Sequence, residues 1–289
     1  MKVLVSTDSS CLTSNSVFDG YEVSVFPLNV IIDGQEFLDG VTINQETLEK
    51  EMRAGKNIKT STPPLGAVIE YFEKLFEKGY DHVIHFTISS KLSSMYDLFC
   101  NVAKQHFDGK VTVVDSYAFS SVMLAYVFYA YEAAKAGVSP KEIKEVVEKQ
   151  KENRSVFFIP ENLNALKNGG RISPAAALIG NIIGIKPIIA LVDGALVKED
   201  TTKKTRKTFV ERATALKEKF PIEDYDYALM HFGVVPEKIE QMFELLKPVL
   251  SGCDVIDAII PINCCAHCGP GTMGLLVSPK MNGKSLNDF

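Results

Sequence analysis

The chain has 289 residues, 46% of them hydrophobic and 23% charged, enough for one large domain or two of ordinary size with a substantial core. Its 31 lysines and arginines against 36 aspartates and glutamates leave a net charge of −5 without a basic stripe. That argues against nucleic acid as the main partner, while a small anion needs only a local site. The opening "MKVLVSTDSS" lacks the apolar core of an export signal, so the six cysteines read as reduced thiols of a cytoplasmic protein.

"KVLVST" is an apolar run of strand type, and "DSS" turns away from it. "EVSVFPLNVII" reads as a second strand region, closed by the turn signal Asp33-Gly34. Asn44 predicts an N-cap for a helix over Gln45 to Ala54, which Gly55 ends. "KTSTPP" reads as a loop, its prolines suited to opening the next helix, which runs to about Lys78. "DHVIHFTI" is a buried strand. "SSKLSSMY" then opens a helix through Gln105, with Ser90 as a cap for a start near Lys91. "KVTVVDS" is a further strand. Phe119 to Lys135 forms a helix that carries Glu132 and is too short to span a membrane.

Strand and helix thus alternate, as in a parallel sheet with helices on both faces. Ligands of such sheets bind at the carboxyl ends of strands, here the loops after Thr7, Thr87 and Val114. After a linker near Gln150 to Ser155, the second half reads as another α/β domain. It has a Gly-Gly turn before Arg171 and Ser173, a hairpin signal at Asp193-Gly194, and helices from about Lys203 to Lys219 and from Glu237 to Leu250. Strand-type runs separate them, the last being "MGLLVSP".

Four serines crowd "TISSKLSSMY". A hydrolase nucleophile needs the tight turn G-x-S-x-G, and no glycine flanks these serines. Two readings remain: helix capping, and binding of a carboxylate or phosphate by hydroxyls and free N–H groups at a helix start. Thr60, Ser61 and Thr62 of "KTSTPP" offer the same chemistry, as a plain loop or as a second set of donors. "NCCAHCGPGTMG" contains one C-x-x-C without the second pair that a zinc site wants, placed too late in the chain for a thioredoxin-type motif. Its glycines match G-x-G-x-x-G by letters only, because "GLLVSP" reads as a strand and not a helix. What remains is a tight turn that places His267. Arg171 is the natural fork for an anion, or else a surface arginine behind a capping glycine.

Taken in order, "TDSS", "KTSTPP", "TISSKLSSMY", "VVDS", "LKNGGRIS", "IGIKPII" and "AHCGPGTMG" resemble the DegV family of bacterial fatty-acid-binding proteins over nearly the whole chain. The resemblance implies two α/β domains, in agreement with the reading by segments. Residues 1–153 would hold a parallel sheet with helices on both faces and the head-group loops. Residues 154–289 would hold a mixed sheet with helices and help to enclose an acyl chain. It implies that Thr60 and Ser93 hydrogen-bond the carboxylate of a long-chain fatty acid, with Ser61 and Ser94 beside them and Arg171 and His267 near the head group. It also implies a carrier without cofactor or metal, a separate fatty-acid kinase as partner, and transient membrane contact for ligand exchange. The rival reading is an enzyme acting on an acyl or phosphoryl group, with His267 as base and Arg171 as clamp. Thr62, Pro64, "SSMY" and the cysteines around His267 depart from the family pattern and bear on ligand preference.

Overall fold

The computed structural model describes residues 1–12, 14, 16–172 and 184–289. Ser173, expected to precede a helix, lies outside the described residues, as do residues 174–183. The first half runs β1 (Val3–Asp8), β2 (Val23–Phe26), β3 (Asn29–Ile32), β4 (Gln35–Leu38), α1 (Gln45–Arg53), β5 (Ile58–Ser61), α2 (Leu65–Glu77), β6 (His82–Thr87), α3 (Met95–His106), β7 (Val111–Asp115), α4 (Ser120–Lys135) and α5 (Pro140–Glu148). The second runs β8 (Ser155–Ile159), α6 (Asn164–Asn168), β9 (Lys186–Val192), β10 (Ala195–Thr202), α7 (Thr205–Lys219), β11 (Tyr225–Phe232), α8 (Pro236–Leu246), β12 (Ile256–Ile259), α9 (Ile262–Cys268) and β13 (Thr272–Pro279).

The fold is the expected two-part α/β arrangement. Strands β2-β1-β6-β7 form a parallel sheet, and β10-β9-β8-β13-β11-β12 form a mixed one. β1 and β6 are buried on both faces, which is why they read as continuous apolar runs. On the mixed sheet the two faces alternate residue by residue. Phe157, Leu229 and Leu275 pack beside Phe209 of α7 and Leu246 of α8. Phe158, Met230 and Leu276 face the first half and join the larger core. Helix α4 touches both β1 and β13, so it is apolar all round and buries twelve residues. Among the described residues no helix is long and apolar enough to cross a membrane.

Three expectations need correction, each for a local physical reason. "EVSVFPLNVII" forms two strands in different sheets. Pro27 has no N–H to give a ladder, and the chain leaves the parallel sheet there to build the antiparallel sheet β4-β3-β5. "KTSTPP" is not loop throughout, because Thr60 and Ser61 pair with Val30 and Asn29 before the prolines stop the ladder. Finally, α3 begins at Met95 and not near Lys91, so Ser90 caps nothing. Buried carboxylates hold that segment in turns: Ile88 N–H donates to Asp8 and Ser90 N–H donates to Asp115. By contrast, Asn44 caps α1 as expected, its side chain accepting from Thr47 N–H at 2.8 Å. The Asp193-Gly194 turn also forms, and there a Cβ on Gly194 would lie 2.6 Å from Ser89 Oγ. The hairpin tip therefore seats against the serine segment, where Ser89 Oγ donates to Gly194 O at 2.7 Å.

Candidate functional site

A cavity lies between the small β4-β3-β5 sheet, the loops that follow β6 and β7, and the mixed sheet. Polar groups gather at one part of its wall: Thr60 and Ser61 from β5, Ser93 before α3, Arg171 beyond α6, and His267 on the last turn of α9. Most of the remaining wall is apolar, with Leu28, Leu92, Phe119, Phe158 and Met230 among its members. Five of the six expected site residues thus line one cavity. The sixth, Ser94, is exposed and outside the lining, where its Oγ shares a 2.9 Å hydrogen bond with Thr62 Oγ1.

The ladder of β5 turns Thr60 toward α9, and its Oγ1 lies 2.8 Å from His267 Nε2. The other ring nitrogen, Nδ1, is buried and meets no partner among the described residues. A buried orphan N–H costs more than an orphan lone pair. This favours the proton on Nε2, donating to Thr60 Oγ1, and leaves the threonine proton free to point into the cavity. Burial, and secondarily the Arg171 charge, lowers His267 to about 3, so the ring is neutral near pH 7. Its seat depends on Gly169: a Cβ there would lie 2.1 Å from His267 Nδ1. Gly169 has an ordinary helical backbone at φ −77°, so contact and not conformation demands the glycine.

Arg171 supplies the cation. Its Nη1 donates to Gly169 O at 2.6 Å and its Nε to Leu92 O at 3.2 Å, which ties the guanidinium between α6 and the serine segment. Ser93 Oγ accepts from Met95 N–H at 3.4 Å, an acceptor role that leaves its own proton to give. The first turn of α3 begins directly behind it and adds a favourable dipole for an anion. Two hydroxyls with free protons, a neutral imidazole and a guanidinium on an otherwise apolar wall can hold one carboxylate and a long apolar tail.

Behind this wall lies a network that sequence reasoning missed. Asp39 accepts from Ser9 Oγ at 2.8 Å and from Asn263 N–H at 3.1 Å, and Asn263 Nδ2 donates to Ser10 Oγ at 2.6 Å. It joins the start of α9 to the loop after β1. "TDSS" flagged the first partner, but nothing local marks Asp39 or Asn263. Cys264 and Cys268 also line the cavity, and burial pushes the Cys264 thiol up, so it serves as a small apolar surface.

Burial raises Asp8 to about 6 and Asp39 to about 7 from 3.8. The folded chain then keeps protons that the unfolded chain releases, and each group costs stability as pH climbs from about 4 to its folded value. His85 and His267, both lowered to about 3 from 6.5 by burial, act in the opposite sense, adding stability as pH rises through that range. Between about pH 4 and 6 the two pairs oppose one another. Asp39→Asn removes one member. Relative to the parent, its stability is expected to rise by about 1.4 kcal/mol per pH unit across that window. Denaturant midpoints at several pH values would test this, and a constant difference would mean that Asp39 is ionised in the folded chain.

The sequence model of the DegV family matches residues 2–280. A DegV domain-containing protein of Staphylococcus aureus is 31% identical over 285 residues, covering 96% of this chain and 99% of the relative. Two solved structures have similar folds. One is a DegV family protein from Thermus thermophilus described by its fatty acid binding, with a TM-score of 0.84 and 26% identity over 96% of this chain and 100% of that one. The other is a fatty acid binding DegV family protein from Streptococcus agalactiae, with a TM-score of 0.85 and 26% identity over 97% of this chain and 99% of that one.

Proposed function

The chain belongs to the DegV family, and on that premise we propose that it binds one long-chain fatty acid, carboxylate at Thr60 and Ser93, tail in the cavity between the sheets. The observation that carries this reading is the Thr60–His267 pair at the polar end of an otherwise apolar cavity. Ser61 and Arg171 complete the head-group end in this proposal, and Ser94 supports its rim through Thr62. Residues 1–153 would supply most of the hydroxyls, and residues 154–289 the arginine, the histidine and the enclosing wall. The protein would act as a carrier that presents its ligand to a separate fatty-acid kinase and exchanges it at a membrane. Related DegV proteins of known structure that bind fatty acid support the ligand class.

The division of labour follows from magnitudes. Each buried CH₂ contributes about 0.8 kcal/mol, so a tail of about fifteen supplies on the order of 12 kcal/mol gross. Ordering and association costs remove much of it. The tail would provide strength and the polar end orientation. An enzyme using His267 as base gains no support here, since burial takes the imidazole far below the pKa that general-base work at neutral pH wants. The test is to purify the protein, extract it into organic solvent and weigh the extract by mass spectrometry. A stoichiometric fatty acid is expected. An empty extract, together with no uptake of added palmitate, would refute the carrier reading.

A further inference from the structure

One row of the mixed sheet contributes two apolar side chains to the cavity wall. Phe158 on β8 stands opposite Gly274 on β13, which stands opposite Met230 on β11. Ile189 and Ala258 extend the row on either side. Residues opposite one another across strands present their side chains to the same face, so from β9 to β12 this row is apolar, and it ends at Lys198 of β10 opposite Ile189. Both Phe158 and Met230 line the cavity. The polar groups of the wall come from other elements: β3 and β5, the segment before α3, the end of α6 and both ends of α9.

Gly274 is central to this row. A Cβ there would lie 2.6 Å from Met230 Cε, 2.6 Å from Phe157 O and 2.7 Å from Phe158 Cβ. The glycine is therefore required by contact, because the end of the Met230 side chain lies across its bare backbone. Phe158 is a stiff ring. Met230 is unbranched, with three rotatable bonds and a polarizable thioether that adapts to irregular space. If it swings aside, the groove left over Gly274 has no side chain to refill it. The apolar floor thus has one yielding member, whose far end rests on the bare backbone of Gly274.

We infer that Met230 is the specificity-determining residue for tail length, an adjustable stop for the methyl end of the acyl chain. The inference rests on the fatty-acid reading of the cavity. It implies that affinity climbs with chain length until the tail reaches Met230 and then levels off, because further carbons must displace the thioether.

The test is a binding series of saturated fatty acids of increasing length on the full chain. Affinity is expected to rise about fourfold per methylene up to a break. In Met230→Ala the break should move to longer acids by about three carbons, one for each side-chain atom removed beyond Cβ. Met230→Val, a smaller change in a buried strand, should move it by about one and serves if the alanine variant does not fold. A break unmoved in a folded variant overturns the role of Met230 and leaves the fatty-acid reading standing. Failure of the parent protein to bind any acid in the series overturns both.

Discussion

Alanine at both Thr60 and Ser93 is expected to weaken palmitate binding by roughly a hundredfold to ten-thousandfold, with the fold intact. Each hydroxyl would donate to a carboxylate, and a hydrogen bond to a charged group is worth about 1.5–3 kcal/mol; two together therefore give about 3–6 kcal/mol. Singly, each variant should lose about one to two factors of ten. The pair need not be additive, because Thr60 is also held by His267 at 2.8 Å. Both side chains lie on the cavity wall and neither is a core residue, so the denaturant midpoint should move little. Titration of delipidated protein with palmitate decides the matter. A double variant that binds as tightly as its parent would show that the head group sits elsewhere.

Gly169→Ala should act on the same site without touching the ligand. The new methyl carbon would fall 2.1 Å from Nδ1 and 2.9 Å from Cε1 of His267, and 3.1 Å from Ala165 O. The ring has to leave, and with it goes the hydrogen bond that orients the Thr60 hydroxyl. We expect affinity to fall about tenfold or more, and stability to fall by about 1–3 kcal/mol from overpacking. Gly170→Ala is the matched control, with open space around the would-be Cβ but φ at +68°. It should cost stability through backbone strain and leave binding largely unchanged. If Gly169→Ala kept full affinity, the seat of His267 would not matter to the ligand.

Much of the fold was legible because its signals are local. Asn44 before an amphipathic stretch, Asp193-Gly194 between two apolar runs, and β1 and β6 as unbroken apolar runs each carry their own physical cause. The errors came where distant groups compete for backbone. The amides of Ile88 and Ser90, which read as a helix start, are taken by Asp8 and Asp115. Helix α9 escaped notice because seven residues rich in cysteine carry little periodicity. For the site, residue types and their order indicated hydroxyls, an arginine and a histidine, and five of those six residues line one cavity.

The alternation of strand and helix, the Asn44 cap, the Asp193-Gly194 turn and a set of polar side chains suited to an anion are all legible in the chain, since each depends on neighbours within a few positions. Folding alone brings Thr60 to His267, 207 positions away, makes Gly169 a seat for a ring, and lets Asp39 and Asn263 tie α9 to the loop after β1. Those contacts arise where two separately patterned sheets close over a shared apolar core. Burial there sets partners and protonation together, and neither is encoded in any single stretch of chain.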